Sequence, residues 1–285
     1  MTDFNFLKDS AGGWVISAPK RGKRPDQASG GGEPDCPFEF IDGKIGDEEP
    51  IYTLNQVHVI NNLYPFAPIH EIVIHSDDHR KNFGDLDYAL AEDIFKVYQL
   101  RFLKHRKSGQ VFIFHNQGKK AGESLPHPHT QITVIPNSVE LDVQPLRHPY
   151  NHDVKTLDHF TIYCPHSSQW PDEVWVAPKR RGNSFYEASG AEIKEIAFIL
   201  SRLVQIFTIR HGYSFPFNFY IYPGNDWYLR LVPRIKVLGG FEIGTNVFVN
   251  TQDPHETFRF IRDNFDSPNF TKIKELHQAE YSKAA

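Results

Sequence analysis

A pattern of about thirty residues occurs twice, roughly a hundred residues apart, and it limits the fold more than any other feature of the chain. The first copy, from Thr53, reads TLNQVHVINNLYPFAPIHEIVIHSDDHRKNF; the second, from Thr156, reads TLDHFTIYCPHSSQWPDEVWVAPKRRGNSF. Each opens on a roughly alternating run of β-branched and aromatic residues and turns. It then enters a second such run through a glutamate, Glu71 or Glu173, and ends in a charged loop. A helical stripe follows each copy: Leu86, Leu90, Ile94, Val97 and Tyr98 in the first, and Ile193, Ile196, Ala197, Leu200, Leu203, Val204 and Phe207 in the second. Both stripes read as core. Two more strand-like runs close each copy, VFIFHNQG from Val111 with HPHTQITVIP from His127, and NFYIYPGN from Asn218 with DWYLRLVP from Asp226. The order strand, strand, helix, strand, strand predicts an α+β fold of two tandem modules, each an antiparallel sheet with packed helices. The stretch from Pro145 to His152, with its prolines and polar side chains, suits the linker, so the modules are predicted over 1–148 and 149–285.

Composition agrees and excludes several classes. A chain of 285 residues with 40% hydrophobic, 14% aromatic and 23% charged residues can bury a sizeable core in two ordinary domains. A net charge of −4 gives no broad electrostatic footprint for a nucleic acid polymer. No apolar run approaches the ~18 to 20 residues of a membrane span. Two cysteines and an opening without the basic and apolar regions of a secretion signal lead us to expect a cytoplasmic protein. Outside the repeat, residues 20–36 combine a basic cluster with Gly30-Gly31-Gly32 and read as a mobile loop. Residues 235–250 read as turn and strand, and the stretch from His255 to Lys283 as helical. Fifteen histidines beside one methionine raise the question of which imidazoles carry metal or proton chemistry.

Position answers it. The run Gly122-Glu123-Ser124-Leu125-Pro126-His127-Pro128-His129-Thr130-Gln131 is extended at its end, so His127, His129 and Gln131 share one face, while Pro128 withholds a ladder donor. Two imidazoles and a carboxamide on one open face, behind a small loop containing Ser124, suit a nucleophile with donors for phosphate oxygens.

With those residues in view, the chain resembles the galactose-1-phosphate uridylyltransferases, nucleotidyl transferases of the histidine-triad superfamily. Four ordered segments carry the resemblance: Trp14-Val15 through Arg21, Arg24 and Pro25; Asn62-Leu63-Tyr64-Pro65; His115-Asn116-Gln117-Gly118 with the His-Pro-His run; and Lys236 with Gly240-Phe241-Glu242. The resemblance implies a ping-pong reaction in which His129 attacks the α-phosphorus of a nucleotide sugar, moving UMP between a UDP-hexose and a hexose 1-phosphate. Gln131 stands where other superfamily members carry a third histidine, and would donate to phosphoryl oxygens without a titrating proton. Ser124 and Asn116, at either end of the loop through Gly122, would hold phosphates. Arg21, Arg24 and Lys236 would neutralise phosphate charge, Asn62 would meet the nucleotide, and Phe241 and Glu242 would face the sugar.

The resemblance also implies one structural zinc per chain. Its ligand positions are Cys36, Glu39, His79 and His127, with Glu39 in place of the family's second cysteine; a carboxylate keeps both the charge and the capacity to ligate. His75 is a rival ligand that strand alternation assigns to the opposite face. In the second module Asp226, Tyr228 and Arg230 replace His127, His129 and Gln131, so that module is expected to be non-catalytic. A second metal at Tyr222, Asp226 and Tyr228 is expected to be absent. The family further implies a homodimer whose partner chain completes the pocket. Two other functions fit the same residues. One is a phosphorylase or adenylyltransferase of the same superfamily acting on an ADP-sugar or a dinucleoside polyphosphate, since Thr130 suits the ADP-sugar branch as well. The other is a non-catalytic, zinc-stabilised protein that binds nucleotide sugars.

Overall fold

The computed structural model describes residues 4–24, 36–79, 81–146 and 154–283. Most of the predicted linker, the boundary at 148/149 and the triple glycine lie outside the described residues. Two short antiparallel hairpins come first, β1 (Asn5–Lys8) with β2 (Trp14–Ser17) and β3 (Phe40–Ile41) with β4 (Lys44–Ile45). The first copy of the repeat then supplies β5 (Tyr52–Leu54), β6 (Val57–Asn61), β7 (Ile69–Ile74), helix α1 (Tyr88–His105), β8 (Gln110–Gln117) and β9 (His129–Ile135). The second supplies β10 (Val154–Thr156), β11 (Phe160–Tyr163), β12 (Val174–Pro178), helix α2 (Gly190–His211), β13 (Phe217–Ile221) and β14 (Leu229–Pro233). The predicted strand and helix order is therefore present in both copies.

The two copies share one sheet. Ten strands run antiparallel in the order β10-β11-β12-β14-β13-β8-β9-β7-β6-β5, which reads the same from either end once each strand is replaced by its counterpart. The halves meet at β13 and β8, where Asn218 pairs with Asn116 and Phe219 with His115. Each half alone would leave that strand's amides and carbonyls unpaired, an exposed edge that the pairing removes.

One face of the sheet carries the core. Val59, Val73, Ile113 and Ile132 from the first half and Phe219, Ile221, Leu229 and Leu231 from the second are buried against α1 and α2 in a single apolar cluster. In α2 the whole predicted stripe is buried. Ser189 begins that helix, accepting from Glu192 N at 3.2 Å while Glu192 accepts from Ser189 N at 2.6 Å, a reciprocal cap. In α1, Ile94, Val97 and Tyr98 are buried as predicted, whereas Leu86 is buried just ahead of the helix.

Two terminal readings change. Residues 235–250 contain a short helix, α3 (Gly240–Thr245), rather than a strand: Glu242 accepts from Gly239 N at 3.1 Å, and Asn246 closes the turn at φ 54°. The C-terminal stretch is two helices, α4 (Pro254–Phe265) and α5 (Phe270–Lys283), because Pro268 between them cannot continue a helix.

Beneath the sheet each long helix is clamped by a buried carboxylate. Glu71 on β7 bonds Arg101 Nε at 2.8 Å and His105 Nε2 at 2.8 Å, both near the end of α1. Asp172 meets Arg210 Nε at 3.1 Å and His211 Nε2 at 2.7 Å at the end of α2. Burial alone would raise the Glu71 carboxyl, but His105 and Arg101 outweigh it and hold the group below the usual carboxylate range. Its contribution to stability is thus complete at neutral pH and fades only as pH falls through the lowered value. Glu71→Ala strands a buried guanidinium and is expected to cost about 3–5 kcal/mol in urea unfolding at pH 7; an unchanged midpoint would contradict the clamp.

Candidate active site

The other face of the sheet is open in the first half, where it holds the His-Pro-His strand. Across β7 and β9, Ile74 pairs with His129 and Ile72 with Gln131, so His129 and Gln131 project together from that face. The loop before β9 is set by glycines. Gly118 (φ 82°) leads into the turn Lys119–Ala121, and Gly122 (φ 84°) leaves it in the left-handed region.

His129 is 6% exposed, and its Nδ1 lies 2.8 Å from His127 O. A carbonyl only accepts, so Nδ1 carries the proton and Nε2 carries the lone pair. Burial draws the imidazole down to about 4, which keeps it neutral at physiological pH. The Phe38 ring stands edge-on at 5.1 Å.

In front of His129 lies a cavity of about 330 Å³ lined by Arg21, Arg24, Asn62, Ser124, His129 and Gln131, six of the residues singled out in the sequence. Arg21 donates to Tyr64 O and lies 4.8 Å over the Phe66 ring; burial, then the charge of Arg24, lowers its guanidinium to about 10. Phe38, Ile45, Ile60, Ile72 and Leu125 supply apolar wall, and Asp47 and Glu48 add carboxylates. Sequence reasoning missed these: the β3–β4 hairpin has too short a pattern to show what it packs against. It also missed His70, buried at 4%, whose Nε2 is 2.9 Å from Gln131 Oε1. Its position in phase with Ile72 on an alternating strand was the available signal.

The remaining named residues lie elsewhere. Asn116 is on β8, where its Oδ1 accepts from Asn218 Nδ2 at 2.8 Å, beside Gly122. Lys236 and Glu242 pair with each other at 2.8 Å around α3, and Phe241 is 56% exposed; none of the three lines the cavity.

Cys36, His79 and His127 form a three-donor cluster whose ligand atoms lie within 4.8 Å of one another. His127 donates through Nε2 to Ser76 O at 2.7 Å, leaving the Nδ1 lone pair 3.3 Å from Cys36 Sγ. Burial raises the Cys36 thiol, a tendency that a bound cation would reverse. Glu39 is beside this cluster, with Oε1 3.4 Å from His79 Nε2. His75 lies on the helix side, fully buried, with Nε2 2.9 Å from Thr130 Oγ1, as strand alternation required.

In the second half the corresponding face is filled. Tyr228 is fully buried, stacks on Trp175 at 4.3 Å and on Tyr222 at 5.2 Å, and donates to Gln144 O. Arg230 bonds Glu173 Oε2 at 2.9 Å. Strand register also moves one equivalence. Ile72 pairs with Gln131 and Trp175 with Arg230, so Glu173 occupies the place of His70 rather than that of Glu71.

Residues 64–135 match the family model for the galactose-1-phosphate uridyl transferase N-terminal domain, a segment that runs from the Asn62 loop through the His-Pro-His strand. Over that segment the chain is similar to the galactose-1-phosphate uridylyltransferases. It is 24% identical to a galactose-1-phosphate uridylyltransferase of Thermotoga maritima over 91% of this chain and 97% of that protein. It is also 24% identical to an ADP-glucose phosphorylase of Arabidopsis thaliana over 88% and 90% of the two chains. Its fold is that of the crystal structure of an Arabidopsis ADP-glucose phosphorylase with bound ADP-glucose, at a TM-score of 0.70, 23% identity and coverage of 92% and 98%. Among the described residues no helix is long and apolar enough to cross a membrane.

The glycine loop before β9 has a steric test. A Cβ on Gly118 would lie 2.9 Å from Pro216 Cβ at a φ that side chains avoid, so Gly118→Ala should cost about 1–2 kcal/mol. Gly190→Ala, with open space around it at the start of α2, serves as the neutral control. Equal unfolding midpoints for the two variants would contradict this account.

Proposed function

We propose that the protein is a nucleotidyltransferase that moves UMP between a UDP-hexose and a hexose 1-phosphate through a nucleotidyl group on His129. The observation that carries this reading is His129, its Nδ1 committed to His127 O so that Nε2 keeps the lone pair, in the wall of a cavity that Gln131, Ser124, Arg21 and Arg24 also line. The Nε2 lone pair attacks the α-phosphorus, a nitrogen–phosphorus bond forms, and the bond from that phosphorus to the bridging oxygen breaks. Hexose 1-phosphate leaves with the electron pair. The His127 carbonyl takes the Nδ1–H bond of the resulting imidazolium and steadies its charge. An oxygen of the incoming phosphate then displaces His129 and restores the neutral ring. Arg21 and Arg24 bind the substrate phosphates, and Gln131 and Ser124 donate to the oxygens of the transferred group. The half from 1 to 148 carries this chemistry, and the half from 149 to 285 supports it without a nucleophile.

Cys36, His79 and His127 would hold zinc, with Glu39 as the fourth ligand. The donor set fits: the His127 proton is committed to Ser76 O, so its other nitrogen and the sulfur both present lone pairs to one point. Zinc so bound would be structural, fixing the loop that leads into His129. Lys236, Phe241 and Glu242 would reach the sugar of a partner's site in a homodimer. The exposed apolar side chains of Val237, Phe241, Ile243 and Val247 around α3 support that reading.

A second reading is ADP-glucose phosphorylase-like transfer of AMP to inorganic phosphate, supported by the similarity to the Arabidopsis enzyme over most of the chain. Incubation with UDP-glucose and, separately, ADP-glucose, followed by intact mass, distinguishes the two. A UMP adduct is expected, an AMP adduct selects the second reading, and labelling by neither removes both in favour of a binding protein. His129→Gly with free imidazole should transfer the nucleotide to imidazole. For the metal, about one equivalent of zinc per chain is expected in protein purified without added metal, falling in Glu39→Ala or Cys36→Ala. Less than about a tenth of an equivalent would dispose of the site.

A further inference from the structure

We propose that His70 is a positioning residue of this site: its imidazole fixes the carboxamide of Gln131 so that the amide NH₂ faces the cavity beside His129. The inference rests on the transferase reading above for its consequence, but its geometry stands apart from it.

A primary carboxamide has two ends of nearly the same shape and opposite hydrogen-bonding character. Only the NH₂ end can donate to a phosphoryl oxygen; the carbonyl end would repel it. Something must select the end, and in this structure it is the neighbour on β7. His70 sits two residues before Ile72, the strand partner of Gln131, and so lies diagonally across from Gln131 on the open face. Its Nδ1 receives the Phe66 backbone N–H at 3.3 Å. A neutral imidazole has one proton, so Nε2 carries it. Within reach of that proton, Gln131 Oε1 at 2.9 Å is the acceptor. Asn62 Nδ2, 3.1 Å from the same nitrogen, is itself a donor, and Asn62 Oδ1 already accepts from Tyr64 N at 2.8 Å. With Oε1 held, the NH₂ group is the end left for a substrate.

The ring is not free to turn. The Phe66 ring packs edge-on at 4.5 Å, and Phe66 in turn lies under the Arg21 guanidinium. Burial, only partly offset by the Gln131 bond, lowers the imidazole to about 4, so it keeps a single proton across the physiological range. The second half provides an internal comparison. At the same register positions Glu173 holds Arg230 through a bond of 2.9 Å, on a face with no nucleophile. In both halves, therefore, the residue two before the strand partner restrains the side chain at the third position of the triad run. Only in the first half is that side chain a neutral donor that remains available.

Two measurements test this. In single-turnover labelling with UDP-glucose and with ADP-glucose, His70→Phe keeps the shape and removes the donor. It is expected to slow adduct formation about tenfold to a hundredfold, with the dissociation constant of the same nucleotide sugar changed less than about threefold. His70→Gln, whose terminal N–H overlays Nε2, should recover most of the rate. Wild-type labelling that His70→Phe leaves at full speed, or a loss that His70→Gln does not repair, overturns the proposal while the transferase reading survives. The second measurement is the ¹⁵N spectrum of the His70 imidazole, expected to show protonated Nε2 and bare Nδ1. The reverse tautomer overturns the proposal. If neither donor labels the wild type, the transferase reading fails and the spectrum still decides which end of Gln131 is held.

Discussion

The pairing of β8 with β13 is the contact on which the rest of the molecule depends. It joins the open edge of each half to the other, makes one sheet of ten strands, and lets α1 and α2 pack side by side over a single apolar face. A half-sheet with one helix would leave too much of that face in water, as well as an unpaired strand. The pairing also crosses the loop that precedes the His-Pro-His strand. Asn218 on β13 donates to Asn116 Oδ1 and to Ala121 O, both at 2.8 Å, so the second half holds the glycine turn of the first.

With the helix face committed to core, the cavity lies on the other face, and the two halves use that face differently. In the first, His129 and Gln131 border an open cavity; in the second, Tyr228 and Trp175 fill the equivalent space and the segment around Gln144 covers it. The difference follows from side-chain type at matched positions. His129 and Gln131 border open space at these positions, whereas the stacked aromatics of the second half fill theirs. The second copy thus contributes strand pairing and core volume, while the first keeps His129 at the wall of a cavity.

At His129 a backbone carbonyl does the orienting. Because His127 O holds Nδ1–H, the lone pair is directed outward without a charged partner, and burial keeps the ring neutral. His127 itself is held by Ser76 O, which turns its remaining nitrogen toward Cys36. One short strand start therefore joins His129, at the cavity, to His127, in the cluster with Cys36 and His79.

Much of this was legible in the chain. The repeat, the buried helical stripes, the shared face of His127, His129 and Gln131, and the opposite face of His75 follow from periodicities of two and 3.6, which are local properties of the backbone. The resemblance placed Arg21, Arg24, Asn62 and Ser124 at one site, and they meet there. What local pattern could not decide was anything set by a partner distant in sequence. The merging of two sheets into one depends on which edges meet. The equivalence of Glu173 with His70 rather than Glu71 depends on strand register. Asp47 and Glu48 line the cavity because the β3–β4 hairpin, a separate small sheet, packs there, and His70 meets Gln131 because β7 and β9, far apart in the chain, lie side by side. By itself the sequence determined most of the elements of the two copies and the faces their residues take. Only the tertiary structure decided their neighbours, because hydrogen-bond partners across a sheet are chosen by register and topology, which no single strand contains.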